Sequence, residues 1–179
     1  YDEKQQLRFV VDAEGQITEY SYNSFGQREQ TREYINQFST TETAALTGGA
    51  YSTINSLVEA KRDDNDINTS QTFDRRGLLI KSTDAENYDT TFKYNAFTEL
   101  VLQTTQNKSN SGGTLITRAD KFIYDKRGLL TQQLQNFGSN STSRNLSNSY
   151  DAFGRLESTL SASQQSTTFI YDEQRGSSP

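Results

Sequence analysis

The chain has 179 residues, with 18 Lys and Arg against 23 Asp and Glu, a net charge of −5 and a pI near 4.8, so it offers no basic surface to a nucleic-acid partner. It contains no His and no Cys, which excludes the usual general base near neutral pH, the thiolate nucleophile, the disulfide scaffold and the usual zinc ligands. Leu, Ile, Val and Phe number only 36 while Ser, Thr, Asn and Gln number 70, too few apolar side chains for a wide core. Yet the 10 Tyr and 10 Phe recur at fixed offsets that a disordered tract has no need to keep.

The chain opens on Tyr1-Asp2, and a related heptapeptide returns throughout. Its copies start at 1, 11 and 22 (YDEKQQL, VDAEGQI, YNSFGQR), at 73, 83 and 94 (FDRRGLL, TDAENYD, YNAFTEL), at 124, 134 and 150 (YDKRGLL, LQNFGSN, YDAFGRL) and again at 171. Increments of 10 and 11, twice, then 10 and 16, define a unit of three segments, with 51, 30 and 21 residues from one unit to the next. If 21 is the base length, the first unit carries about 30 extra residues and the second about nine, as repeat arrays tolerate when insertions extrude from one face.

Each copy reads as strand, tight turn, strand. The leading aromatic is Tyr22, Phe73, Tyr94, Tyr124, Tyr150 or Tyr171. In four copies it stands two residues after another ring (Tyr20, Phe92, Phe122, Phe169), which places both rings on one strand face. Next comes Asp or Asn, at Asp2, Asp12, Asn23, Asp74, Asp84, Asn95, Asp125, Asp151 and Asp172. Its short side chain accepts from the backbone amide two residues on and so caps a turn.

Gly follows three residues later, at Gly15, Gly26, Gly77, Gly128 and Gly154, where a type I turn that closes through a bulge requires positive φ. Hairpin turns are therefore expected at Asp12–Gly15, Asn23–Gly26, Asp74–Gly77, Asp125–Gly128 and Asp151–Gly154. Ile17, Leu79, Leu130 or Leu156 opens the return strand. Gln5, Asn87 and Thr98 stand where Gly belongs, and a β-branched residue is the least suited, so a different turn is expected at Thr98. These positions read as structural repeat residues, with no catalytic, cofactor-binding or metal-ligating role.

The insertion at about 29–72 is less regular. Ile54, Leu57, Val58 and Lys61 have helical spacing behind a cap at Ser52, whereas Tyr34-Ile35 and Phe38 suit a strand equally well. The expectation is extended structure with one short helix. Asp64-Asn65-Asp66-Ile67-Asn68 has the opening of a calcium loop, but Thr69 replaces its Gly and Arg75 its bidentate Glu, so it reads as a solvated loop. Gly48-Gly49 and Gly112-Gly113 lack a Gly-Lys-Ser/Thr context and read as bends; order is expected along the chain, with any disorder mostly confined to Asn107–Gly113 and the C-terminal tail. The sequons at Asn68, Asn107, Asn140 and Asn145 matter only in a secreted eukaryotic chain.

Lined up, the Y-D-x-x-G-x-L copies resemble the RHS or YD-repeat family, which includes bacterial Rhs polymorphic toxins, the B and C subunits of Tc toxin complexes and the teneurins of animals. The resemblance covers nearly the whole chain apart from the insertion. It implies an all-β fold in which antiparallel β-hairpin YD repeats form a strip of a spiral β-sheet shell, with 1–179 a segment of a larger chain. The partners implied are the remainder of the same shell and an enclosed C-terminal toxin domain or companion toxin subunit. No enzyme activity, cofactor, nucleic-acid partner or membrane span is expected of this segment, and its expected location is secreted or cell-surface. The alternative reading is a cell-surface adhesion or carbohydrate-binding module whose exposed Tyr rings stack on glycans. The family's D-P-x-G self-cleavage motifs have no counterpart here, Pro179 being the sole proline, so no protease residue carries over.

Overall fold

A turn signal every ten or eleven residues leaves runs just long enough for short strands, and the chain folds accordingly. The computed structural model describes residues 1–46, 51–108, 115–136 and 144–171. It divides into two compact units, Tyr1–Asp89 and Thr90–Pro179.

The first unit carries β1 (Phe9–Val11), β2 (Ile17–Tyr22), β3 (Arg28–Glu33), β4 (Ile67–Phe73) and β5 (Leu79–Thr83), with α1 (Thr40–Ala45) and α2 (Tyr51–Glu59) between β3 and β4. These five strands pair antiparallel in chain order. From β6 (Asp89–Tyr94) the chain continues through β7 (Leu100–Lys108), β8 (Leu115–Tyr124), β9 (Leu130–Gln135), β10 (Arg144–Tyr150), β11 (Leu156–Leu160) and β12 (Ser166–Thr168), again each against the next. The fold is thus all-β: within each unit the strands form an open antiparallel sheet, and among the described residues β1 and β12 have a partner on one side only. The nine-residue excess of the second repeat is spent on strand: β7 and β8 pair from Leu102↔Lys121 out to Lys108↔Leu115.

No described residue of the second unit is buried, so its sheet has two half-exposed faces. The apolar core lies in the first unit and consists of Ile17, Tyr34, Phe38 and Val58, flanked by Phe9, Val11, Leu46, Ile54 and Leu57. The insertion builds it, and it corrects the expectation for 29–72 on two counts. Residues 29–33 and 67–72 are extended, as expected, and pair as ladder strands, but two helices form instead of one, and Ser52 lies inside α2. Tyr34 and Phe38 lie in irregular chain, where the Tyr34 and Phe38 amides donate to the carbonyls of Ile17 and Gly15. The first helix starts at a capping box: the Glu42 amide donates to Ser39 Oγ and the Ser39 amide to Glu42 Oε2. Together with the Lys61 ammonium these bonds hold the Glu42 carboxyl down at about 2.

Beside the apolar cluster, Glu19 is buried on β2 under three cations and a phenol. Arg8 reaches its carboxylate at 2.7 Å, Arg62 at 3.1 Å and Arg32 at 4.0 Å, and the Tyr34 hydroxyl donates to it at 2.8 Å. Burial is the main reason the Tyr34 phenol is raised to about 12. Asp66 is likewise buried, accepting from the amides of Ile35 and Asp63 and pairing with Arg32. Its carboxylate organises the base of the insertion, which corrects the reading of 64–68 as a solvated loop.

Gly15 is where the insertion closes on the sheet. At φ +87° it lies under the Phe38 carbonyl, and a Cβ there would overlap that oxygen. Gly15→Ala is expected to cost about 3 kcal/mol, against about 1 kcal/mol for Gly154→Ala, where a Cβ has room and only the backbone is strained. Urea unfolding midpoints of the two variants check this; equal losses would show that the insertion does not bear on Gly15.

Candidate functional site: the Tyr-Asp rim

The turns fall alternately on two sides of the strands. In the first unit, 2–5, 23–26 and 74–77 lie on one rim, while 12–15, the insertion and 84–87 lie on the other; in the second, 95–98, 125–128 and 151–154 share a rim opposite 161–164. The rim that carries the Tyr-Asp, Tyr-Asn and Phe-Asp copies is uniform, and the far rim varies in length.

Eight turns share one hydrogen-bond scheme, at Asp2, Asp12, Asn23, Asp74, Asp84, Asn95, Asp125 and Asp151. In each, Oδ1 accepts the amide two residues on, as expected, and also the amide four residues on. At Asp125 these are Arg127 N at 2.8 Å and Leu129 N at 3.0 Å. The backbone closes the same ring, with Gly128 N donating to Asp125 O and Asp125 N to Leu129 O. The fourth residue takes positive φ whatever its type: Gly26, Gly77, Gly128 and Gly154 at 80–83°, Gln5 at 61°, Asn87 at 63° and Thr98 at 69°. The different turn expected at Thr98 is therefore not found. Asn95 accepts from Phe97 N and Glu99 N as its counterparts do, and that closed ring holds the β-branched residue in the left-handed region.

On this rim every ladder is interrupted at one place. Pairing runs Tyr22↔Arg28 then Ser21↔Gln30, and likewise Phe73↔Leu79, Tyr94↔Leu100, Tyr124↔Leu130 and Tyr150↔Leu156, each followed by a one-residue shift. The extra residue is always the eighth of the motif: Glu29, Ile80, Val101, Thr131 or Glu157. The far-rim hairpins β1–β2 and β11–β12 have no shift. Such a bulge raises the local twist of its hairpin.

The leading tyrosines join one copy to the preceding one. Tyr22 OH donates to Leu7 O at 2.9 Å, Tyr124 OH to Leu100 O at 2.9 Å, Tyr150 OH to Leu130 O at 2.8 Å and Tyr171 OH to Leu156 O at 2.8 Å. In all four the acceptor is the seventh residue of the previous rim copy. Phe73 has no hydroxyl and lacks the bond; Asp172 lies outside the described residues. Two side chains also join neighbouring turns, Gln27 Nε2 to Gly77 O at 3.0 Å and Arg127 Nη1 to Asp151 O at 2.8 Å. Tyr22, Tyr124 and Tyr150 are half-buried with their hydroxyls engaged, which leaves less of each ring for sugar stacking, whereas Tyr171 is 41% exposed.

One turn escaped the sequence reading. Ser161 takes the Asp role, its Oγ accepting Gln165 N at 3.1 Å, and Gln164 takes the Gly role at φ 64°. The signal lay in the spacing: starts at 150, 160 and 171 repeat the 10-then-11 increment of 1, 11, 22 and of 73, 83, 94. The copy placed at 134 begins with the last two residues of β9, Leu134 and Gln135, and runs into the connection to β10, of which residues 137–143 lie outside those described, as do Gly48-Gly49 and Gly112-Gly113. Among the described residues no group of three or more Asp or Glu converges as a metal site.

These features define a hairpin-repeat β protein whose copies are fastened through one rim. No family model matches the chain, and no curated protein matches it. Among solved structures it is similar to the Photorhabdus luminescens Tc holotoxin pore, at 16% identity and TM-score 0.34 over 82% of this chain. It is also similar to TcdB2-TccC3 without the hypervariable C-terminal region, at 15% and 0.36 over 82%. The chain spans 8% of the length of each.

Two outcomes follow from the rim chemistry. Tyr124→Phe is expected to cost about 1 kcal/mol, the usual net worth of one hydrogen bond. Tyr150→Phe should cost less, because Asn148 Nδ2 also donates to Leu130 O. Urea midpoints at unchanged m-value measure both, and a loss at Tyr150 equal to or larger than that at Tyr124 contradicts the scheme.

The second outcome concerns acid. Leu129 N is the largest influence holding Asp125 below the ordinary carboxyl value, and the Arg127 amide and guanidinium add to it against an opposing desolvation. At Asp74 and Asp151 desolvation is the largest single influence and pushes upward, but hydrogen bonds from Leu78 and Arg76, and from Arg155 and Phe153, outweigh it. Because the folded values are depressed, the stabilisation is complete above the unfolded carboxyl value of about 3.9 and is lost as pH falls below it. Asn makes the same two bonds without titrating, as at Asn23 and Asn95. Combined Asp74→Asn, Asp125→Asn and Asp151→Asn should therefore flatten the fall in unfolding midpoint between about pH 4 and pH 2; an unchanged slope is evidence against the assignment.

Proposed function

We propose that this chain is a structural segment of an RHS-repeat β-shell that encloses a toxin polypeptide in a secreted or injected bacterial toxin, and that it performs no catalysis. The observation that carries the reading is the Tyr-to-carbonyl relay, which at Tyr22, Tyr124, Tyr150 and Tyr171 fastens a rim copy to the one before and so lets a sheet be lengthened copy by copy without a core. The second unit, half-exposed on both faces, has the character of a wall. Its neutral polar side chains give an unfolded client little apolar surface to adhere to. The partners are the remainder of the shell and a C-terminal toxin domain or companion toxin subunit. Among the described residues no helix is long and apolar enough to cross a membrane.

The test is protection of the client. In the complete protein, a polypeptide attached after the repeats should resist added protease, and deletion of the repeats should expose it. Equal digestion with and without the repeats removes the encapsulation reading, and specific binding of the same material to a glycan array would put adhesion in its place.

A further inference from the structure

The two faces of the first unit's sheet are unlike. Side chains alternate along each strand, and the ladder register carries that alternation from one strand to the next. One face holds Phe9 and Val11 of β1, Ile17 and Glu19 of β2 and Arg32 of β3. All five meet the insertion: Ile17 is buried in the cluster with Tyr34, Phe38 and Val58, Phe9 and Val11 pack against that cluster, Glu19 pairs with Arg62 and Arg32 with Asp66. The other face holds Thr18 and Tyr20 of β2, Thr31 of β3, and Thr69 and Gln71 of β4. Along β4 its side chains Ile67, Thr69 and Gln71 are exposed, whereas Asn68 and Ser70 on the insertion side are half-buried. A groove of about 400 Å³ crosses this second face, from Tyr22 over Arg28 and Thr31 to Thr69 and Gln71. The Arg28 guanidinium stands 4.0 Å from the Tyr20 ring centre, so that ring is covered by a cation.

A wall that encloses a polypeptide turns one face to a fixed interior and the other to open solvent. An added segment takes up space on whichever face it packs against, and only the solvent side has space without limit. Repeat arrays accordingly gather their insertions on one face. Here the insertion, with α1 and α2, is stacked on the first face through a dry cluster and two buried carboxylates, Glu19 and Asp66, so it is a fixed part of that face. The second face is hollowed where the first is filled, and around the groove it presents hydroxyl and amide groups. We propose that in the complete protein the insertion face of this unit is external, and that the groove face, with Thr31, Thr69 and Gln71, borders the enclosed polypeptide. This sidedness rests on the shell reading and concerns the first unit alone.

The 179 residues contain no cysteine, so single Cys substitutions report on the two faces. In the complete protein, Thr41→Cys on α1 and, separately, Thr69→Cys and Gln71→Cys on β4 are treated with a maleimide carried on a polyethylene glycol chain too bulky to pass a closed wall. The unsubstituted protein sets the background, and protease resistance of the client shows that each variant still closes. Thr41→Cys should react as an exposed thiol, and the other two about tenfold more slowly or less, because they wait on opening of the wall. In urea all three should react alike. Fast reaction at Thr69→Cys and Gln71→Cys with slow reaction at Thr41→Cys reverses the faces and overturns the proposal while leaving the shell intact. Slow reaction at all three puts the insertion under cover and overturns it as well. Fast reaction at all three removes the enclosure itself, and the sidedness with it.

Discussion

In eight turns the Oδ1 of an Asp or Asn accepts the amides two and four residues ahead of it, and the two bonds together leave the backbone one way to reverse. They force the intervening residue, the fifth of the motif, to positive φ, which Gly adopts freely and Gln5 and Thr98 adopt under constraint. The same geometry fixes where the return strand starts, hence where the seventh residue's carbonyl points and where the next tyrosine must reach. Register, bulge and relay all descend from that capped reversal. A motif of seven residues suffices to specify them because the interactions are local on the rim.

The energetics of the two units differ for the same reason. Where copies follow one another directly, stability is spread over ladder bonds, capped turns and half-buried side chains, and no single apolar residue dominates. The insertion introduces a different regime: a small dry cluster around Ile17 and Val58, next to a carboxylate that three arginines and a tyrosine surround. A buried charge of that kind tolerates loss of one partner poorly. Single substitutions around Glu19 should thus matter more than substitutions of similar size elsewhere in the sheet.

Much of the rim was legible because its chemistry is written in residue types: Asp or Asn, then Gly three later, then Leu. The Thr98 turn was misjudged because intrinsic preference at one residue was weighed without the side-chain oxygen that closes the ring around it. The turn at Ser161 was missed because Ser and Gln replace both diagnostic residues, leaving spacing as the only sign. The insertion was read poorly for another reason. Glu19 sits in an ordinary strand sequence, and only packing of a segment more than 30 residues away reveals that it is buried. The Ser39–Glu42 capping box is legible in the Ser-x-x-Glu spacing; the Tyr relay is not, since it depends on which carbonyl a neighbouring copy presents.

Among the described residues, the strands of each unit pair with their neighbours in sequence. Contacts of short sequence separation favour rapid formation, and they also decide how the structure yields to tension. A pull along the chain loads the outermost hairpin first, and its ladder opens like a zipper without first disturbing the hairpins behind it. Release of a hairpin fastened by Tyr22, Tyr124, Tyr150 or Tyr171 also breaks that tyrosine bond and frees a length set by the repeat. The sheet would come apart in steps of one copy at a time, at modest force, and would close again in the reverse order when the tension is released.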